Sequence, residues 1–506
     1  MPRRFLAALV LVLALSGCGR LLGQRYDNFT AYYNTFYNAR QEFERAEEAL
    51  LTQERPVDRT RYLPLFVEVE GTRDQGFTKA VEKGADLLRE NPESKWVDDA
   101  LLLIGKAYYY QDNLVGAEQK FRETIALEEA RLEPEAYLWL GRTLMAAERF
   151  DDAALTLREG LDLAGLPERW AAPMRLALGE LAVRQRDWEA AAEALETGLD
   201  DVRDNELAAR AAFLLGQVYE TLDRPEDAAA AYERVRRYGP RYELAYAADL
   251  QRALALGLHG RTEEALDLLR RMRRDDKNFD NLAEVELTRA RVLAAAGQPG
   301  EAEALLRRLL YDPDPALQTG SLRGPLHYRL AEVYRDRFDD YVRAAAHLDT
   351  AATALRQAVR RDELFTPEAV TDAPELAETF GSYAEVAGRI AEMDSLLYLG
   401  GLDDAEFEAA IEEIRQQRQR EAELQARELE RQRREQGFGA QPLEGFPDRG
   451  GGGQESDTGI DAGFLNYRDP VRVQAALAAF QSRWGDRPYV PNWRRASAVG
   501  GGVAVQ

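Results

Sequence analysis

Apolar and polar residues follow a helical rhythm along most of this chain. From about residue 76 to 355, apolar positions recur three and four apart, which places them on one face of successive helices. A longer period is laid over that one. Gly105, Gly141, Gly179 and Gly216 are separated by 36, 38 and 37 residues. Twelve residues after each stand Ala117, Ala153, Ala191 and Ala228, and the alanine series continues at Ala265 and Ala302. Four residues beyond each alanine comes a large apolar residue: Phe121, Leu157, Leu195, Tyr232, Leu269 and Leu306. The small residues predict a close crossing of two antiparallel helices, and the large residue fills the space toward the next pair. Turn formers separate the helices at Asp112-Asn113, Asp187, Arg224-Pro225 and Gln298-Pro299-Gly300.

The clearest unit reads Leu215-Gly216-Gln217-Val218-Tyr219, then Ala228 to Tyr232, and ends at Pro240. Leu-Gly-x-x-Tyr followed by Ala-x-x-x-aromatic resembles the tetratricopeptide repeat of about 34 residues. A degenerate unit follows at Leu330 to Tyr334 and Ala344 to Ala346, with Phe338 to Tyr341 inserted before its second helix. The resemblance implies an all-α fold, a tetratricopeptide-like α-solenoid with a charged helix and a flexible C-terminal tail. In that fold Gly105, Ala117, Gly141, Ala153, Gly179, Ala191, Gly216, Tyr219, Ala228, Tyr232, Ala265 and Ala302 are packing residues. Such a stack presents a long concave face, which is a docking surface and not a preformed acid–base pocket.

The two flanks differ from the repeats. Tyr26, Phe29, Tyr33, Phe36, Tyr37 and Phe43 fall mainly at helical spacing before them. They suit either a cap over the first repeat or a partner-binding helix. Residues 401–436 carry a dense mixture of acidic and basic side chains. Their sparse apolar positions (Phe407, Ile411, Ile414, Leu424, Leu429) do not sustain a heptad, so a solvated helical spacer is expected. Residues 437–463 are glycine-rich and read as a flexible linker. The segment 464–506 is rich in arginine and tryptophan. Its Trp484, Gly485, Arg487, Pro488, Asn492, Trp493 and Arg494 are the candidate partner-binding residues. The competing reading is a tail that folds back on the charged helix.

The start of the chain changes the picture. Residues 5–15 are unbroken apolar, behind Arg3 and Arg4. That run is far short of the roughly 20 residues a membrane-spanning helix needs. It ends at Leu15-Ser16-Gly17-Cys18, the form of a bacterial lipobox. The expected layout is therefore a signal peptide over 1–17, a lipid-anchored aromatic cap over 18–75 and the solenoid over 76–400. Cys18 is the lipidation site and the only cysteine, which leaves no disulfide to form. Gly19 follows it instead of an aspartate, so an outer-membrane anchor facing the periplasm is expected. The formal net charge of −23 disfavours nucleic acid and leaves the lipid anchor as the membrane contact.

Candidate chemistry is sparse. His259, His327 and His347 have no metal-ligand spacing. No phosphate-binding glycine loop and no G-x-S-x-G elbow occurs. No catalytic residue, metal, cofactor, nucleic acid or small-molecule substrate is expected, and the chain reads as a non-enzyme with protein partners. A solute-binding role is disfavoured by a repeat groove without a deep apolar pocket.

Five stretches together resemble one family. They are the lipobox, Asn28 to Asn34, Trp96 to Tyr108, Asp394 to Gly400, and the terminal Arg483-Trp484-Gly485 with Asn492-Trp493-Arg494-Arg495. In them the chain is similar to the SprE/PorW lipoproteins of gliding and type IX secreting bacteria. The charged helix and glycine linker depart from that pattern. The resemblance implies an outer-membrane, periplasm-facing scaffold for protein–protein interactions in a secretion or gliding-motility complex. The alternative is a general lipoprotein of outer-membrane protein assembly or cell-wall coordination.

Overall fold

The computed structural model describes residues 35–53, 56–66, 74–127, 131–311, 320–355 and 364–435. Cys18, the glycine-rich stretch and the whole segment 464–506 lie outside them. Among the described residues there are eighteen α-helices and no β-strand. At the front α1 (Tyr37–Leu51) packs on α2 (Gln75–Glu90). Phe43 of α1 meets Phe77 at 5.5 Å, and Phe36 stacks on Trp96 at 5.4 Å. Tyr37 remains exposed. Of the predicted aromatic row, Tyr26, Phe29 and Tyr33 are outside the described residues.

Seven helix pairs follow. They are α3 (Val97–Tyr110) with α4 (Leu114–Ile125), α5 (Glu133–Ala146) with α6 (Phe150–Leu161), and α7 (Glu168–Arg184) with α8 (Trp188–Asp201). Next come α9 (Asn205–Thr221) with α10 (Pro225–Arg237), α11 (Tyr242–Leu258) with α12 (Thr262–Arg274), and α13 (Leu282–Ala295) with α14 (Pro299–Tyr311). The last pair is α15 (Arg323–Arg337) with α16 (Tyr341–Ala354), followed by the long helices α17 (Ala373–Gly400) and α18 (Asp404–Glu435). Each helix packs chiefly on its sequence neighbours, as a superhelical stack requires.

The glycine–alanine period has a direct geometric cause. A Cβ placed on Gly105 would sit 2.6 Å from the Phe121 ring, and one on Gly141 would sit 2.5 Å from Leu157. The same holds for Gly179 against Leu195 at 2.7 Å and Gly216 against Tyr232 at 2.5 Å. Each glycine thus receives the large residue sixteen or so positions later, on the other helix of its pair. Ala117, Ala153, Ala191, Ala228, Ala265 and Ala302 have no exposed surface. Tyr219 and Tyr232 are buried as well.

First and second helices of a pair differ in burial. On α9 nearly every residue from Leu207 to Tyr219 is buried. On α10 only Ala228, Ala229, Ala231, Tyr232 and Val235 are. A helix covered all round lies in the middle of a structure, whereas a one-sided helix lies on its outside. The first helices therefore form the inner wall and the second helices the outer wall.

The turn inside each of the first six pairs is a repeated device. The N–H of Asn113 reaches back to the Tyr108 carbonyl, and Arg149 to Leu144, Asp187 to Ala182, Arg224 to Tyr219, Arg261 to Leu256 and Gln298 to Leu293 do the same. This six-to-one bond closes a helix C-terminus and needs a left-handed residue just before it. Asp112, Glu148, Arg186 and Asp223 take that conformation with φ of 54° to 62°. Gly260 and Gly297 hold the same place in the next two pairs, where lacking a Cβ makes it easy.

Candidate functional site

The inner wall carries polar residues in a row. Arg142, Glu180 and Gln217 each directly follow a packing glycine, and Gln251, Glu284 and Arg291 continue the row on α11 and α13. Gln217 has no exposed surface and Glu180 is 5% exposed. A buried polar side chain needs a partner, because leaving one unpaired costs about 1–3 kcal/mol. The partner is the chain's own backbone. Residues 57–66, a non-helical stretch between α1 and α2 with a turn at 59–60, lie along this wall.

The wall reads that stretch mainly through its main chain. Gln217 Oε1 accepts the Leu63 N–H at 2.8 Å, and Gln217 Nε2 donates to the Arg61 carbonyl at 2.8 Å. Glu180 accepts the Leu65 N–H at 3.0 Å. Arg210 Nε donates to the carbonyls of Leu65 at 2.9 Å and Pro64 at 3.0 Å. Side chains add specificity. Tyr62 stacks on Trp188 at 5.2 Å, and its hydroxyl lies 2.6 Å from Thr221 Oγ1. Leu63 and Leu65 join the main apolar core, and the Arg142 guanidinium lies 4.3 Å from the Phe66 ring centroid.

At its other end the stretch meets a second non-helical piece. Thr366 donates its N–H to the Thr60 carbonyl at 3.0 Å and its hydroxyl to the Arg59 carbonyl at 2.7 Å. An antiparallel bridge joins Arg61 and Phe365. A largely buried charge cluster sits beside them. Arg59 pairs with Glu284, lies 3.9 Å from Glu368 and donates to Gln251 at 3.2 Å. Arg291 holds both Glu368 oxygens at 2.6 and 2.7 Å. Burial would raise the Glu368 carboxyl, but Arg291, Arg59 and Arg329 outweigh it and hold it down at about 2. Glu220 behaves oppositely. Burial, reinforced by the Glu368 charge, pushes its carboxyl up to about 8.

Two clefts flank the occupied stretch. One, of about 280 Å³, is lined by Phe66, Tyr109, Arg142, Glu180 and Arg184. The other, of about 510 Å³, is lined by Arg59, Glu284, Arg291, Arg329, Phe365 and Glu368. Among the described residues no group of three or more metal-ligating side chains comes together. His327 and His347, distant in sequence, do approach, with their Nδ1 atoms 2.8 Å apart. His259 lies elsewhere, 3.5 Å from Glu226.

The repeat-packing residues are thus buried between helices. The candidate partner-binding set Trp484, Gly485, Arg487, Pro488, Asn492, Trp493 and Arg494 falls outside the described residues, as does Cys18. The groove residues escaped the sequence reading. Arg142, Glu180 and Gln217 carry one signal, a polar residue directly after a packing glycine, whereas Arg210, Gln251, Glu284 and Arg291 carry none.

The tetratricopeptide-repeat family model matches residues 99–166, 176–240 and 221–279. No curated protein matches the chain in sequence. Among solved structures, the chain is similar to a tetratricopeptide repeat protein from Parabacteroides merdae. That pair shares 15% identity over 56% of this chain and 98% of that one, with a TM-score of 0.36. The C-terminal part of a repeat-containing protein from Cytophaga hutchinsonii gives 15% identity, 57% and 94% coverage and a TM-score of 0.33. YrrB, described as a repeat protein with an unusual peptide-binding site, gives 17% identity, 47% and 93% coverage and a TM-score of 0.29. In sequence pattern and in helix geometry alike, the matched segments of this chain are tetratricopeptide repeats.

Proposed function

We propose that this chain is a non-enzymatic scaffold that assembles protein partners at the bacterial cell envelope. One observation carries the reading. The inner wall of the superhelix is built to grip an extended polypeptide, since Gln217, Glu180 and Arg210 bond to main-chain groups that any peptide offers. The lipobox ending at Cys18 supports an outer-membrane lipid anchor with the body in the periplasm. The likeness to the SprE/PorW lipoproteins favours a secretion or gliding-motility complex over general outer-membrane assembly. The segment 464–506, with Trp484, Arg487, Trp493 and Arg494, supplies a second partner contact.

Crosslinked pull-down from membranes tests this. Deleting residues 464–506 is expected to remove an envelope partner while circular dichroism shows the repeats intact. Cys18→Ala is expected to shift the protein out of the outer-membrane fraction. An unchanged partner set and an unchanged distribution would together overturn the reading.

A further inference from the structure

Helix α17 is longer than the pair it covers. Ala373 is buried against α15 and α16, Leu376, Ala377 and Phe380 join the same cluster, and Tyr341 contacts both Phe380 and Tyr383. Among the described residues the cover ends there. The helix has 28 residues, about 42 Å at 1.5 Å per residue, against 14 residues in α16. Beyond Phe380 runs a row of large apolar side chains: Tyr383, Val386, Ile390, Met393 and Leu397. They are 49% to 74% exposed, and Leu396 and Tyr398 widen the row at its end. Single exposed apolar residues are ordinary, whereas a contiguous strip marks an interaction site.

The spacing of the row is three, four, three, four. That is the a and d repeat with which helices interlock knobs into holes. In this register Tyr383, Ile390 and Leu397 are a positions, and Val386 and Met393 are d positions. Arg389 then falls at g and Asp394 at e, both exposed. We propose that the strip is a homodimer seam, in which α17 of a second copy lies parallel and in register. Charge selects this occupant. In a parallel pair g faces the following e of the other helix, so Arg389 meets the partner's Asp394, and symmetry repeats the contact. An antiparallel pair sets g against g and e against e, which loses both contacts. A lipid surface fits less well, because Glu385, Glu392 and Asp394 outnumber Arg389 along this stretch and anionic headgroups repel them.

The seam uses neither the groove nor the lipid anchor, so its failure would leave the scaffold reading standing. Sedimentation equilibrium of the purified full-length chain over a micromolar concentration series tests it. A monomer–dimer equilibrium is expected. Ile390→Asp should weaken it about tenfold or more, with helicity unchanged because the site is exposed. Arg389→Asp alone should weaken it, and Arg389→Asp combined with Asp394→Arg should restore it. A monomer at every concentration, or a dimer indifferent to Ile390→Asp, overturns the proposal. Failure of the double reversal to restore association overturns the parallel register. A dimer that forms only after residues 464–506 are removed assigns the strip to the chain's own tail and equally overturns it.

Discussion

Gln217 accepts the N–H of Leu63 at 2.8 Å and returns its own amide N–H to the carbonyl of Arg61. One side chain thereby imitates the two-way exchange of neighbouring strands. Gln217→Leu keeps the volume and removes both bonds. It should cost about 2 kcal/mol, because the buried Leu63 N–H is left unpaired and the Arg61 carbonyl loses its donor. A urea titration checks this. Unchanged stability would mean that residues 57–66 do not sit on the inner wall in solution.

Gly216 meets the ring of Tyr232 where a Cβ would stand, at 2.5 Å. Gly216→Ala forces the ring or the helix pair apart and should lose about 1–3 kcal/mol. Gly216→Ala combined with Tyr232→Leu should recover part of that loss. Additive losses in the thermal melts of this cycle would count against the close crossing.

The left-handed turn position distinguishes the repeats. Gly260 holds φ of +84°, with nothing within 4 Å of an added Cβ. Gly260→Ala should therefore cost about 1 kcal/mol from backbone strain alone. Arg186, already left-handed at φ 62°, should tolerate Arg186→Gly with no loss of stability. Melting temperatures of the two variants compare the cases. A more stable Gly260→Ala would refute the turn assignment.

Glu220 gives the fold a pH dependence. Its carboxyl is raised to about 8 in the folded chain, from an ordinary 4.5. Between those values the folded state holds a proton that the unfolded state has released, so stability falls as pH rises through that window. Glu220→Gln should flatten the decline and melt higher than the parent near pH 8. Glu368 has the opposite sign. Held at about 2, it stabilises the fold above 4.5, and that contribution fades as pH drops from 4.5 toward 2. Melting curves across both windows check the two signs. A Glu220→Gln profile parallel to the parent's would exclude the residue as the source.

The repeats were legible because their cause is periodic. Gly105, Gly141, Gly179 and Gly216 solve one packing problem four times, so their spacing exposes it. The stretch 57–66 solves its problem once. Its partners lie 115 residues away at Glu180 and 307 away between Thr366 and Arg59, beyond the reach of any local pattern. Polar Arg142, Glu180 and Gln217 on apolar helices were the visible trace of it. The strip on α17 was hidden differently. Tyr383 to Leu397 looks like a core face, and only the short α16 shows that no neighbour among the described residues covers it.

A stack of repeats joined only to their neighbours behaves as a spring, since each interface can open a little without disturbing the rest. Residues 57–66 change that mechanics. They are fastened in turn to α5, α7, α9, α11 and α13, and then to Thr366. Pulling the ends apart would have to strip these bonds from their helices together. A stack fastened in this way would transmit tension along its length as a tie, not stretch as a coil.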